Sequence, residues 1–198
     1  MFASTSEKIV GKLEQQHIIP TEQHVIYQYG MNQALNTILN ILTFMIIGML
    51  FHMVVETVIF TVGYIPFRIY AGGFHAKTPR RCWILSGCML VAALILISIA
   101  ERFSFAFDIL SVISAVLILL QMPVEDLNKP LDEMERHIYM KRGVIVFAVE
   151  AIVVVLFRIF HMNSISHCLQ MVWVILNVML ILGNVKNKAI KKKDEINE

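Results

Sequence analysis

His75 and Cys82 are the two residues whose types and spacing first suggest chemistry. They lie in the polar segment Arg68-Ile69-Tyr70-Ala71-Gly72-Gly73-Phe74-His75-Ala76-Lys77-Thr78-Pro79-Arg80-Arg81-Cys82-Trp83. An imidazole within reach of a thiol is a base beside a nucleophile, able to attack a carbonyl and then protonate the departing group. Thr78-Pro79 fits a helix N-cap followed by proline at the first helical position, which puts Cys82 in the opening turns of a helix. A thiol there feels the positive end of the helix dipole, and Lys77, Arg80 and Arg81 add positive charge; both favour thiolate. In a continuous helix the two residues would lie about 10 Å apart along the axis, too far for proton transfer. Gly72-Gly73 and Pro79 supply the breaks that let His75 fold back. On spacing alone a second reading stands beside this one: a small packing cysteine and an interfacial histidine. Cys88 and Cys168 fall inside apolar runs and read as packing residues.

The elements that must position this segment are greasy helices. Of 198 residues, 57% are apolar and 16% charged, against roughly 45–50% and about 25% in a soluble domain. Mean hydropathy is +0.67. Such a chain is too apolar for one water-soluble core, and the expected fold is an all-α, polytopic transmembrane bundle. Disorder, a disulfide-dense secreted scaffold and a basic nucleic-acid binder are all disfavoured, and net charge is only +2. The three cysteines form no CxxC pair and the seven histidines are scattered, so no metal and no cofactor is expected.

Residues 1–33 are mixed-polar and carry no secretory signal pattern, so the N-terminus is expected to stay in the cytosol. Ile9–Leu13 and Val25–Tyr29 sit at i,i+4 spacing, and Pro20-Thr21-Glu22 suggests a break. Two amphipathic helices follow, either on the inner leaflet or packed against protein. Residues 34–185 form the transmembrane part. From Leu35 to Tyr70 the chain is almost continuously apolar, near 54 Å as one helix against a bilayer core of roughly 30 Å. A hairpin around residues 51–56, at His52 and Glu56, would divide it; a re-entrant segment would preserve the same sidedness. Four further spans follow: Trp83–Ala100, Ser104–Met122, Gly143–Phe160 and Ile165–Gly183. Six crossings place every Lys and Arg except Arg102 and Arg158 on the cytoplasmic side, as the positive-inside rule demands. Both termini and the loops 68–83 and 122–142 then face the cytoplasm. Residues 186–198 read as a basic, then acidic, tail beside anionic lipid headgroups.

Arg68-x-Tyr70-Ala71-Gly72-Gly73-x-His75-Ala76 followed by Cys82 resembles the signature of the accessory gene regulator B (AgrB) family of membrane cysteine endopeptidases. Pro123-Val124-Glu125-Asp126-x-Asn128-Lys129-Pro130-Leu131 resembles that family's second cytoplasmic motif. Phe74 stands where the family often has Tyr, and Asp126 where His is common. The resemblance covers essentially the whole chain. It implies a protease of a Gram-positive cell membrane that processes an AgrD-like quorum-sensing propeptide, acts as a homodimer and works on the cytoplasmic face. By the same resemblance His75 and Cys82 are the catalytic pair, with Arg68, Gly72 and Gly73 in support.

Further supporting or substrate-binding candidates are Lys77, Arg80, Arg81, Asn128, Lys129, Pro130, Glu133 and Glu150. Glu125, Asp126, Asn128, Asp132, Glu133 or Glu135 could orient His75, or could be solvated loop charges. Arg80, Arg81, Lys141 and Arg142 could bind an acidic propeptide tail or anchor the membrane edge. Glu150, near the centre of a span, is a packing or substrate-orienting group. Asp108, Arg158, His52 and Glu56 sit nearer the outer ends, where snorkelling accounts for them. The rival functions are a transporter without chemistry, which would pair charges at the midplane, and a scaffold or sensor subunit, which would leave the 68–83 motif without a reason.

Overall fold

The computed structural model describes residues 2–74, 76, 78–125 and 131–197. Its helices are α1 (Ala3–Gln15), α2 (His24–Leu50), α3 (Val54–Ala71), α4 (Pro79–Ala100), α5 (Ser104–Gln121), α6 (Glu133–Ile159) and α7 (Asn163–Asn197). No strand is present among the described residues, and the fold is an all-α bundle. Four helical stretches are long and apolar enough to cross a membrane: 21–50, 54–71, 79–121 and 163–190.

The chain breaks before Pro20, makes a single 3-10 turn at Thr21–Gln23 and enters α2. α2 then runs through residue 33 without interruption, so the polar stretch 24–33 is the opening of the first span rather than a separate interfacial helix. No Gly-Pro signal separates the two, and Met31, Gln33, Ala34, Leu35 and Leu39 favour helix strongly enough to carry Asn32, Asn36, Thr37 and Asn40 between them. α1 folds back on α2, burying Val10 and Ser6, while the Glu14 carboxylate meets His24 Nδ1 at 2.6 Å. That hydrogen bond, with a smaller one from Thr21, holds the Glu14 carboxyl below its ordinary range. Val25, Ile26 and Tyr29 remain exposed, an apolar face that suits lipid.

Residues 51–53 close the expected hairpin, with His52 at φ 55° and the Met53 amide donating to the Gly48 carbonyl at 2.8 Å. A Cβ on Gly48 would lie 2.6 Å from Thr57 Oγ1, so this glycine permits the tight turn from α2 into α3. The 43-residue stretch 79–121 would be about 65 Å long if straight, twice the hydrocarbon thickness. The 3-10 turn Glu101–Phe103 divides it into α4 and α5. Pro79 at the start of α4 and Val124 just past the end of α5 line one cavity, so the two helices run in opposite directions. α2 through α7 therefore alternate in direction, and both the start of α2 and the end of α7 lie at this cavity end.

α7 is the central helix: Ser166 through Asn177 are all buried. Its polar residues mark it as interior. Trp173 Nε1 donates to Glu150 of α6 at 2.8 Å, and Phe147 packs against Trp173 with ring centroids 5.2 Å apart and planes tilted by 48°. At the end away from the cavity, Arg158 pairs with Asp108 and reaches His167 Nε2 at 3.1 Å, while Gln170 donates to Asp108 at 2.9 Å. Arg158 and Asp108 thus satisfy each other across α6 and α5 instead of snorkelling separately. α6 begins ten residues before the apolar stretch at Gly143, capped by Asp132, whose side chain accepts from the Glu135 amide at 2.6 Å. α7 continues beyond Gly183 through the basic residues to Asn197, because nothing after Gly183 breaks a helix.

Candidate active site

The motif around Gly72-Gly73 is built as a clamp. α3 ends at Ala71, and Gly72 and Gly73 take φ of 74° and 110°, a left-handed region that favours glycine. The Gly73 amide donates to the Val124 carbonyl and the Val124 amide to the Ala71 carbonyl, each at 2.9 Å. The Phe74 amide donates to the Met179 carbonyl of α7, also at 2.9 Å. The Arg68 guanidinium, one turn back on α3, donates to the carbonyls of Gly72 and Phe74. The buried backbone of residues 71–74 is thereby satisfied from three sides. Close approach is the condition: a Cβ on Gly72 would run into the Val124 carbonyl, one on Gly73 would lie 2.9 Å from the Met179 oxygen, and one on Gly183 of α7 would lie 2.8 Å from the Phe74 nitrogen.

Seven residues beyond Gly72, α4 starts as its sequence dictates. Thr78 caps it, accepting from the Arg81 amide at 3.4 Å; Pro79 occupies the first turn; and the Cys82 amide donates to the Thr78 carbonyl at 3.0 Å. Trp83 Nε1 donates to Thr43 Oγ1 at 2.9 Å and fixes this end of α4 against α2. Cys82 is half-buried and lines a cavity of about 650 Å³ between α2, the end of α3, the start of α4 and the segment after α5. Ala76, Tyr70, Gly72 and Glu125 share this lining. Cys88 is exposed in an apolar groove on the outer side of α4, and Cys168 is fully buried.

The sequence-derived candidates divide sharply. Gly72 and Cys82 meet at the cavity, and Arg68 and Gly73 hold the segment that forms its floor. Of the acidic candidates, Glu125 lines the cavity; its carboxylate accepts from the Leu131 amide at 3.0 Å, and its carbonyl accepts from Asn187 at 2.8 Å. Arg80 and Arg81 are exposed beside the start of α4, and Glu133 is exposed in the first turn of α6. Glu150 is not among the cavity's residues: it is buried among α3, α6 and α7, with one carboxylate oxygen on Trp173. His75, Lys77, Asp126, Asn128, Lys129 and Pro130 lie outside the described residues. Among the described residues no group of His, Cys, Asp and Glu is placed to hold a metal.

One wall of the cavity comes from residues outside both sequence motifs. Asn32, Gln33, Asn36 and Asn40 of α2 line the cavity, a polar column in an otherwise apolar span. The signal was available, because asparagines at i, i+4 and i+8 share one helix face and membrane spans hide such groups from lipid. A second set ties α7 to α5: Asn184 donates to Gln121 at 3.1 Å, and Gln121 to Asn177 at 3.4 Å.

A family model described as accessory gene regulator B matches residues 6–183. The chain belongs to the accessory gene regulator B family. Among curated proteins, "Putative AgrB-like protein" of Clostridium perfringens (strain SM101 / Type A) is 26% identical over 150 residues, covering 72% of this chain and 70% of its own length. "Putative AgrB-like protein 2" of Clostridium perfringens (strain 13 / Type A) is 24% identical over 172 residues, covering 83% and 80%. No solved structure matches the chain. Membership in the AgrB family and four membrane-length apolar helices make this a membrane protein connected with quorum-sensing peptide processing. The cavity motif, with Cys82 and the Gly72-Gly73 clamp, falls inside the matched region.

Proposed function

We propose that the chain is a membrane cysteine endopeptidase that cleaves an AgrD-like propeptide and promotes its cyclisation, with Cys82 as nucleophile and His75 as acid and base. The observation that carries this reading is the position of Cys82: a half-buried thiol one turn into a capped helix, on the wall of a peptide-sized cavity. Ala76, the covalent neighbour of His75, lines the same cavity. The basic helix ends gathered around it support a cytoplasmic site by the positive-inside rule.

In this mechanism Cys82 Sγ attacks the carbonyl of the scissile bond and forms a tetrahedral intermediate. Its collapse breaks the C–N bond; the amine leaves with a proton from the His75 imidazolium, and the N-terminal part of the propeptide stays on Cys82 as a thioester. An internal thiol of that peptide, deprotonated by His75, then attacks the thioester carbonyl. The thiolactone forms, the Cys82 sulfur is released, and the proton on His75 restores the starting state. One thioester replaces another, so the driving force is small, and holding the peptide close while excluding water decides cyclisation over hydrolysis. The test is cleavage of propeptide by membranes carrying wild type, Cys82→Ser or His75→Ala at matched insertion. Both variants are expected to lose cleavage; wild-type turnover by either removes that residue from the mechanism.

A further inference from the structure

The asparagine column on α2 has unspent hydrogen-bonding capacity beside the reactive sulfur. Asn36 Nδ2 donates to the Asn32 carbonyl at 2.8 Å and Asn40 Nδ2 to the Asn36 carbonyl at 3.1 Å. Asn32 Oδ1 and Asn40 Oδ1 are buried and have no partner among the described residues. An acceptor left in that state costs about 1–3 kcal/mol. Both residues line the cavity that Cys82 lines. Both oxygens are shielded from solvent, so engaging a ligand takes a rotation about the terminal side-chain torsion, which is soft for an amide but at Asn40 exchanges the bond from Nδ2 to the Asn36 carbonyl for one to the ligand.

The column matches an extended peptide in pitch. Asparagines four residues apart repeat about every 6 Å along a helix. Backbone N–H groups on one edge of an extended chain repeat about every 6.8 Å. Asn32 and Asn40 are therefore about 12 Å apart along α2, close to the ~13.6 Å between N–H groups four residues apart in a strand. The bond from Trp83 to Thr43 sets the Asn40 end of the column nearest the start of α4, and so nearest Cys82.

We propose that Asn32, Asn36 and Asn40 form a docking edge along which the propeptide lies extended, its backbone N–H groups bonding to the asparagine side chains and its scissile carbonyl brought to Cys82. This rests on the endopeptidase reading above and makes the three asparagines positioning residues. Backbone recognition secures the peptide without demanding a particular side chain, and it holds the acyl segment in place after the leaving group departs.

The experiment uses the full chain in lipid nanodiscs with synthetic propeptide, measuring kcat and KM for wild type, Asn32→Leu and Asn40→Leu. Each variant is expected to raise KM roughly three- to tenfold, the worth of one hydrogen bond, with kcat within about twofold. Propeptides N-methylated at single backbone positions near the cleavage site supply the second arm. Methylation at two positions four residues apart should raise KM on wild type, and should add nothing on the matching asparagine variant. Labelling of Cys82 by a small water-soluble maleimide should proceed at the wild-type rate in both variants. Unchanged KM overturns the proposal, as does a KM rise accompanied by slowed Cys82 labelling, which would make the column a support for the cavity's shape. Cleavage by Cys82→Ser at the wild-type rate would instead defeat the endopeptidase reading itself, whatever the asparagine variants do.

Discussion

Gly72→Ala is expected to detach the segment that carries the active-site motif while leaving the helices folded. Besides the bond from the Gly72 amide to the Arg68 carbonyl that closes α3, five bonds hold residues 71–74: three between backbones and two from Arg68. At about 1 kcal/mol for each neutral bond and about 1.5 for each charged one, they supply roughly 6 kcal/mol. Ordering three residues costs about 1–2 kcal/mol each, so docking is favoured by at most about 3 kcal/mol. Alanine at φ 74° and ψ −144° adds strain of about 1–3 kcal/mol. Its Cβ also displaces the Val124 carbonyl and with it the paired bonds to Gly73 and Ala71, about 2 kcal/mol more. The penalty of roughly 3–5 kcal/mol matches or exceeds the docking energy; at mid-range the detached form is favoured by about 2.5 kcal/mol, so cleavage falls more than tenfold. Hydrogen exchange in nanodiscs reads the cause directly: the amides of Gly73, Phe74 and Val124 lose protection while those of mid-α7 keep it. Gly11→Ala is the control, since a Cβ there meets nothing within 4 Å; it should leave activity unchanged and stabilise α1 by about 0.5–1 kcal/mol. Cleavage by Gly72→Ala within twofold of wild type, with those amides still protected, would refute the clamp.

Two further outcomes follow from the same contacts. Arg158→Met is expected to destabilise the bundle by roughly 1–3 kcal/mol, because Asp108 loses its countercharge, and Asp108→Leu in the same chain should recover most of that in thermal unfolding. At the N-terminus, the Glu14 carboxyl is held low chiefly by its hydrogen bond to His24. Its contribution to docking α1 on α2 is therefore complete above the ordinary carboxylate pKa and fades as pH falls through the lowered one. Limited proteolysis of α1 should accelerate over that acidic window, and Glu14→Gln should show the faster rate already at neutral pH.

Much of the frame was legible because bilayer physics writes it plainly. Apolar length beyond one crossing required a break near residues 51–56, charge asymmetry required both ends of the chain on one side, and Thr78-Pro79 marked the start of α4. Lipid and protein interior both favour apolar residues, however, so hydropathy could not tell that α7 is the buried axis. Only its Ser166, His167, Gln170 and Asn177 carry that information, since such groups are rarely left facing hydrocarbon. Polarity changes near residue 33 and again at Lys186, yet α2 and α7 run through both points, because polarity changes the surroundings of a helix without ending it. Arg68, Gly72 and Gly73 were visible as a motif, but their joint role was not. The clamp needs Val124, Met179 and Gly183, which are distant in sequence and ordinary in type. Gly183 reads as the end of a span; in the structure it is where the loop backbone rests on α7.

In the proposed mechanism everything depends on Cys82 taking up the propeptide covalently. Intact-mass and peptide mapping of the full chain, mixed with a propeptide whose ring-forming thiol is replaced by alanine, tests this most directly. The expected result is a hydroxylamine-sensitive adduct on Cys82 that adds the mass of the N-terminal cleavage fragment less one water, absent in His75→Ala. Cleavage at the wild-type rate with Cys82 unmodified throughout, or an adduct on Cys88 or Cys168 instead, would contradict it.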